Sequence, residues 1–205
     1  NQNFKIDFNR ILIVIMELYY FSGTGNTLHI AREIKKRIPK TTLISINKAV
    51  NGPKIETQER SVGILFPIYA FTLPSIVLDF LKKTDFSSCE YIFAISTRIC
   101  SSRVFKKINR LLRKQGKKLN LSYSFETPQN YIMIFPVPSD EEITRLENKM
   151  QNEMDNLTRL LENHKNHLLP PDSFLLWLFT HTVFPFVTFL LKKTKFFGLE
   201  KKLYA

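Results

Sequence analysis

The sequence predicts an α/β fold built on an open, mostly parallel sheet, and three observations point to it. Strand-like and helix-like segments alternate along the chain. The third strand candidate, "SVGILFPIYA" at 61–70, is almost wholly apolar, the pattern of a strand covered on both faces. The first strand candidate breaks into "SGTGNT", a glycine-containing loop that leads straight into a helix.

The elements follow in order. "ELYYF" (17–21) reads as a buried strand, and "TLHIAREIKKRI" after it puts Leu28, Ala31, Ile34 and Ile38 on one helical face. "TTLISIN" (41–47) is the second strand and 61–70 the third. Pro74 suits the first turn of a helix over "PSIVLDFLKKT". "YIFAIST" (91–97) is the fourth strand, followed by a basic helix with Val104, Phe105, Ile108, Leu111 and Leu112 inward and Gly116 as its stop. "KLNLSYSFET" (118–127) is the fifth strand. A long helix then opens with Ser139 and Glu142 at capping-box spacing. The prolines at 170–171 mark the boundary between this body and a C-terminal tail. The expected division is an extension over 1–15, a domain over 16–168 and an apolar, basic helical tail over 169–205.

The chain has 205 residues, 44% of them hydrophobic, with 18 phenylalanines, enough for one well-packed domain. Its two cysteines, Cys89 and Cys100, exclude a disulfide framework, a four-thiolate metal site and an iron–sulfur cluster, and they suit a reduced, cytoplasmic setting. The stretch before Met16 has two basic residues and a short apolar run but no small-residue cleavage site, so it does not read as a signal peptide. The net charge of +12 is concentrated: Arg98 to Lys118 holds nine lysines and arginines and no acid. Such a run is a solvated helix face, or a surface for nucleic acid, an anionic membrane or an acidic protein.

The loop itself narrows the ligand. A strand–loop–helix turn aims backbone N–H groups and a helix N-terminus at one anion. Gly23 and Gly25 permit a tight turn, while Ser22, Thr24, Asn26 and Thr27 add neutral donors. A nucleoside-triphosphate loop would end in Gly-Lys-Ser/Thr, and a dinucleotide fingerprint would have glycine where Leu28 stands. One terminal phosphate, held by neutral donors, fits best. In an open parallel sheet, ligands lie beyond the carboxyl ends of the strands, so the loops at that edge form the site.

At these residues the sequence resembles the flavodoxin superfamily, whose phosphate loop has the form Ser/Thr-x-Thr-Gly-Asn-Thr. Ser22, Thr24, Gly25, Asn26 and Thr27 match it position by position. The resemblance implies a three-layer sandwich, a five-stranded parallel sheet of order 2-1-3-4-5 with helices on both faces, and FMN as the cofactor. "FPIYAFTLP" (66–74) and "TPQNYIMIFP" (127–136) are similar to one branch of the superfamily, the flavodoxin-like half of proteins fused to a ferredoxin with two four-iron clusters. The likeness spans roughly residues 16–205. No cysteine-rich ferredoxin segment follows "KKLYA", so the expectation is a truncated half, a split protein or a stand-alone relative.

Carried onto this chain, the resemblance gives the phosphate tail to Ser22, Gly23, Thr24, Gly25, Asn26 and Thr27. Pro67, Ile68, Tyr69, Ala70 and Phe71 lie along the flavin ring, with Tyr69 the stacking candidate, a contact contributing on the order of 1 kcal/mol beyond burial. Ser96, Thr97 and Arg98 approach the pyrimidine edge, and Asn130 and Tyr131 belong to the segment after the last strand. The third loop, "STRICSSRV" (96–104), departs from the family in having no glycine. An inward Arg98 would stabilise the anionic reduced flavin, and an outward one would join the basic run.

The function this implies is an FMN-dependent electron carrier or oxidoreductase exchanging electrons with a ferredoxin-type iron–sulfur partner. No Ser/His/Asp set or paired-carboxylate cleft is legible beside it. The competing class is a basic binding module, for nucleic acid or an anionic membrane, that has lost tight flavin binding; only Phe105 interrupts the basic run, which does not suggest base stacking. In the tail, "SFLLWLFTHTVFPFVTFLL" (173–191) carries no formally charged residue over nearly a bilayer's length. Thr180, His181, Thr182 and Pro185 at its centre argue against a span. The expectation is a tail helix that packs on its own domain and leaves an apolar patch near Trp177, Phe184 and Phe189, ringed by Lys192, Lys193 and Lys195, for an acidic ferredoxin module.

Overall fold

In a computed structural model of the chain, residues 14–69, 72–97, 103–128, 137–170 and 182 are described. Seven strands and five helices form in the order β1 (Met16–Tyr20), α1 (Asn26–Arg37), β2 (Thr41–Ser45), α2 (Ile46–Ala49), β3 (Ile55–Glu56), β4 (Ser61–Pro67), α3 (Ser75–Lys83), β5 (Thr84–Asp85), β6 (Tyr91–Thr97), α4 (Arg103–Arg113), β7 (Leu121–Phe125) and α5 (Asp140–Glu162). The five longer strands make one all-parallel sheet of order β2-β1-β4-β6-β7. The five strands of this sheet, taken in chain order, follow the expected 2-1-3-4-5; the labels become 2-1-4-6-7 because two short strands that the sequence reading lacked, β3 and β5, intervene in the chain and pair only with each other. Two residues are too few to show a period of two, so no hydropathy pattern announces them.

Alternation along the central strands sends successive side chains to opposite faces. Val62, Ile64 and Phe66 of β4, with Ile92 and Ala94 of β6, meet Val77, Phe80 and Leu81 of α3 and Val104, Phe105, Ile108 and Leu112 of α4. On the other face, Leu65, Phe93, Ile95 and Leu18 meet Ile30, Ala31 and Ile34 of α1 and Met150, Met154, Leu157 and Leu161 of α5. Each face is therefore covered by its own pair of long helices. Gly63 shares that second face with its register partners Leu18 and Phe93. A Cβ there would collide with the Phe93 ring and with Leu18, so the missing side chain is what makes room for that ring.

Ser139 caps α5 as expected, its Oγ accepting from Glu142 N–H at 3.2 Å, and Asp140, Glu141 and Glu142 complement the dipole at that end. Helix α5 is held to α1 by a polar seam: Arg37 reaches Glu33 (2.7 Å), Gln151 (2.6 Å) and Asp155 (3.3 Å). After α5 the chain turns at His164, which has a φ of 47°, and runs back beside β7. His167 N–H donates to Asn120 O (3.0 Å), and its carbonyl accepts from Ser122 N–H (2.7 Å) in a parallel bridge. The strip covers part of an edge that would otherwise present unpaired backbone. Within α1, Leu28 is only half-buried, contrary to expectation, and the inward face is made by Thr27, Ile30, Ala31 and Ile34.

No helix among the described residues is long and apolar enough to cross a membrane. The extension over 1–13 and, apart from Thr182, the tail over 171–205, with its expected apolar patch, lie outside the described residues.

Two outcomes test this packing. Gly63→Ala should lower unfolding stability by about 1–3 kcal/mol, read by chemical denaturation, because the core has no room for the methyl group. The Arg37 guanidinium beside Glu33, helped by Gln151 and Lys36, holds its carboxyl below the usual carboxylate range despite burial. A lowered folded-state pKa stabilises above the unfolded carboxylate range, and that stabilisation is lost as pH falls through the folded value. Glu33→Gln should therefore be less stable than the parent at neutral pH, with the difference vanishing in acid.

Candidate functional site

The parallel sheet sends the carboxyl ends of β1, β4, β6 and β7 to one edge, and the loops there bring most of the described candidate residues together. The β1–α1 loop is shaped by one hydroxyl. Ser22 Oγ accepts from Gly25 N–H (3.1 Å) and from Leu28 N–H (3.3 Å), closing the loop onto the first turn of α1. Gly25 sits at φ 101°, a conformation that favours glycine, with nothing near the place a Cβ would occupy. Gly23, Thr24 and Gly25 are exposed.

A helix leaves its first N–H groups without intrahelical partners. Ser22 satisfies two of them, while those of Asn26 and Thr27 find no partner among the described residues. No acidic residue lies in the first turn of α1, and Lys35, Lys36 and Arg37 close its last turn. The dipole's positive end is therefore not neutralised from within the helix, in contrast to α5.

Two side chains of the motif are committed to the fold. Asn26 Nδ2 donates to the Pro128 carbonyl (3.1 Å), tying the loop to the segment leaving β7. Thr27 is buried, and its Oγ1 shares a hydrogen bond of 3.0 Å with Thr97 Oγ1 at the end of β6. Ser96 Oγ donates to Ser124 Oγ (2.8 Å), so β6 and β7 are also joined by hydroxyls. Ser124 and Pro128 carry no motif; they enter because parallel register sets Ser96 opposite Ser124.

Pro67 ends β4 and Ile68 is buried. Tyr69 is 44% exposed, the one large aromatic among the described residues so presented. Its backbone closes a tight turn with Thr72 (Thr72 N–H to Tyr69 O, 2.9 Å). Its ring stands edge-on to Phe21, with centroids 6.5 Å apart and planes at 86°. The Tyr69 hydroxyl occupies the place a Cβ on Gly23 would take, so Gly23 is the residue that lets the second loop lean on the first. Ala70, Phe71, Arg98, Asn130 and Tyr131 lie outside the described residues.

No family model matches the chain, and no curated protein does. Solved structures similar to it include a flavodoxin from the domain Archaea (12% identity, covering 71% of this chain and 99% of that one, TM-score 0.40). A two-electron reduced flavodoxin from Megasphaera elsdenii is 15% identical over 67% of this chain and 99% of that one, with a TM-score of 0.41. The Trp repressor binding protein from Bacillus subtilis is 11% identical over 77% and 99%, with a TM-score of 0.44.

The Thr27–Thr97 pair gives a direct test of how the edge is held. Thr97→Val should cost about 1–3 kcal/mol by leaving the buried Thr27 hydroxyl without its partner. The double variant Thr27→Val/Thr97→Val should be less destabilised than the sum of the single changes, as a double-mutant cycle of thermal or urea unfolding will read.

Proposed function

We propose that this chain binds FMN at the carboxyl edge of its sheet and carries electrons between that flavin and an iron–sulfur protein of the ferredoxin type. The observation that carries the reading is the Ser22–Thr27 loop. It is a neutral, glycine-bearing turn, pinned by Ser22 Oγ, whose Asn26 and Thr27 N–H groups have no partner among the described residues, at a helix start with no acid in its first turn. That donor set fits a single phosphate. The absence of lysine from the loop and of a Gly-x-Gly-x-x-Gly spacing fits FMN better than a triphosphate or a dinucleotide.

Bound there, the flavin would supply the redox chemistry, taking up and releasing electrons at its ring. The chain's own residues have simpler tasks. Ser22 holds the loop in shape, and Thr24, exposed within it, would turn its hydroxyl to the phosphate. Gly23 leaves room for Tyr69, whose half-exposed ring offers an apolar, stackable face beside the loop. The pairs Thr27–Thr97 and Ser96–Ser124 keep the strand ends in register under the ligand. The iron–sulfur partner, on a separate chain or module, is supported by the likeness of residues 66–74 and 127–136 to the flavodoxin-like half of fused ferredoxin proteins.

The purified protein should be yellow, and mass spectrometry of the released chromophore should give FMN; release of FAD overturns the reading. Thr24→Ala should weaken FMN by about 1.5–3 kcal/mol, the range for a hydrogen bond to a charged group, and leave riboflavin nearly unaffected. Equal losses for both ligands would mean that the loop does not read phosphate.

A further inference from the structure

Helix α4 presents an exposed cationic face that no acidic side chain answers among the described residues. Lys106, Lys107, Arg110, Arg113, Lys114 and Lys118 are all exposed, and none makes an ion pair among the described residues. Helical spacing keeps Lys106, Lys107, Arg110 and Arg113 on one side of the helix, opposite Val104, Phe105, Ile108 and Leu112, which are buried against the sheet, while Lys114 and Lys118 carry the charge past its end. The other long helices compensate their charges: Glu33 pairs with Lys36 and Arg37 on α1, Asp79 with Lys82 on α3, and Lys149 of α5 with Glu126.

This arrangement works against the helix that carries it. Arg103 and Lys106 stand in or beside the first turn, where the dipole favours acids, each opposed by roughly 0.3–1 kcal/mol. Lys106 and Arg110 are like charges at i,i+4, which repel by roughly 0.2–0.5 kcal/mol. A face that weakens its own helix and pairs with no acid among the described residues suits a complementary surface outside the chain.

We propose that this face docks an acidic protein, with its first turn next to the candidate flavin edge. β6 ends at Thr97 on that edge and α4 begins at Arg103, so the face starts beside the site and runs back along the helix for about 16 Å at 1.5 Å per residue. Several carboxylates on a partner fall within one Debye length of such a stripe, which favours fast, salt-sensitive association. Nucleic acid fits less well, because the only aromatic on α4, Phe105, is buried and cannot stack on bases. A membrane also fits less well, because the helix's apolar side is already occupied by the sheet and cannot insert. What passes between the partners rests on the flavin reading above; the docking surface itself does not.

The test uses the full chain and, as probe, a purified acidic ferredoxin carrying two four-iron clusters, with both proteins oxidised so that binding is read without electron transfer. Lys107→Glu/Arg110→Glu is compared with Lys35→Glu/Lys36→Glu, which makes the same change of net charge on the last turn of α1, at the opposite edge of the sheet. The α4 pair should weaken binding at least about tenfold and flatten its dependence on ionic strength between about 0.01 M and about 0.15 M, while the α1 pair should change it less than about twofold. The α4 variant should melt no lower than the parent, since it relieves repulsion. Equal losses in the two variants, or no ferredoxin binding by the parent at the lower ionic strength, overturn the proposal. It is overturned too if the parent binds single-stranded RNA or phosphatidylserine vesicles through this face at about 0.15 M and leaves the ferredoxin unbound. A preparation that lacks FMN yet shows the α4-dependent binding would sink the flavin reading and leave the docking surface standing.

Discussion

Burial of the central strand on both faces is the constraint from which the rest of the molecule follows. From Ser61 to Phe66 every residue of β4 is buried, with β1 and β6 hydrogen-bonded on either side. A parallel strand so enclosed needs helical crossovers above and below, and the chain supplies α3 and α4 on one face and α1 and α5 on the other. Each crossover returns the chain to the same end of the sheet. The loops that bear polar and glycine residues therefore gather at the carboxyl edge by geometry, before any ligand is considered.

Much of this was legible in the sequence because burial on both faces writes a continuous apolar run. β6 falls on the expected 91–97, and α5 opens at the expected Ser139. The misreadings have physical causes. The fifth strand was expected over 118–127 and spans Leu121–Phe125, since the Asn109 side chain takes Leu119 N–H and the Asn120 side chain takes Ile92 N–H ahead of the ladder. Leu28 was expected inward on α1, yet Thr27 has that place. A buried threonine looks polar to a hydropathy pattern, and only its partner Thr97, 70 residues away, explains why it faces in.

The candidate site divides in the same way. The loop motif and its preference for a small anion could be read from residue types alone, because glycines and neutral donors at a strand-to-helix turn have few other uses. The stitching beneath it could not. Ser96 with Ser124, and Asn26 with Pro128, depend on strand register and on where the chain leaves β7, neither of which has a local signature. The leaning of Tyr69 on Gly23 is likewise a contact between two loops brought together only by the sheet order.

The strip beside β7 bears on how the chain matures. Residues 166–169 are the last of the described backbone to join the sheet, and until they arrive the far side of β7 presents open donors and acceptors. During synthesis that exposed margin persists while the whole of α5 is being made, because the covering strip lies beyond it in the chain. Tyr91 adds a latch, its hydroxyl donating to the Lys165 carbonyl at 2.7 Å while its ring meets His164 edge-on. A nascent chain that stops at the end of α5 has its strands and both helical layers but keeps one adhesive border, and closing that border falls to a few residues that belong to no regular element.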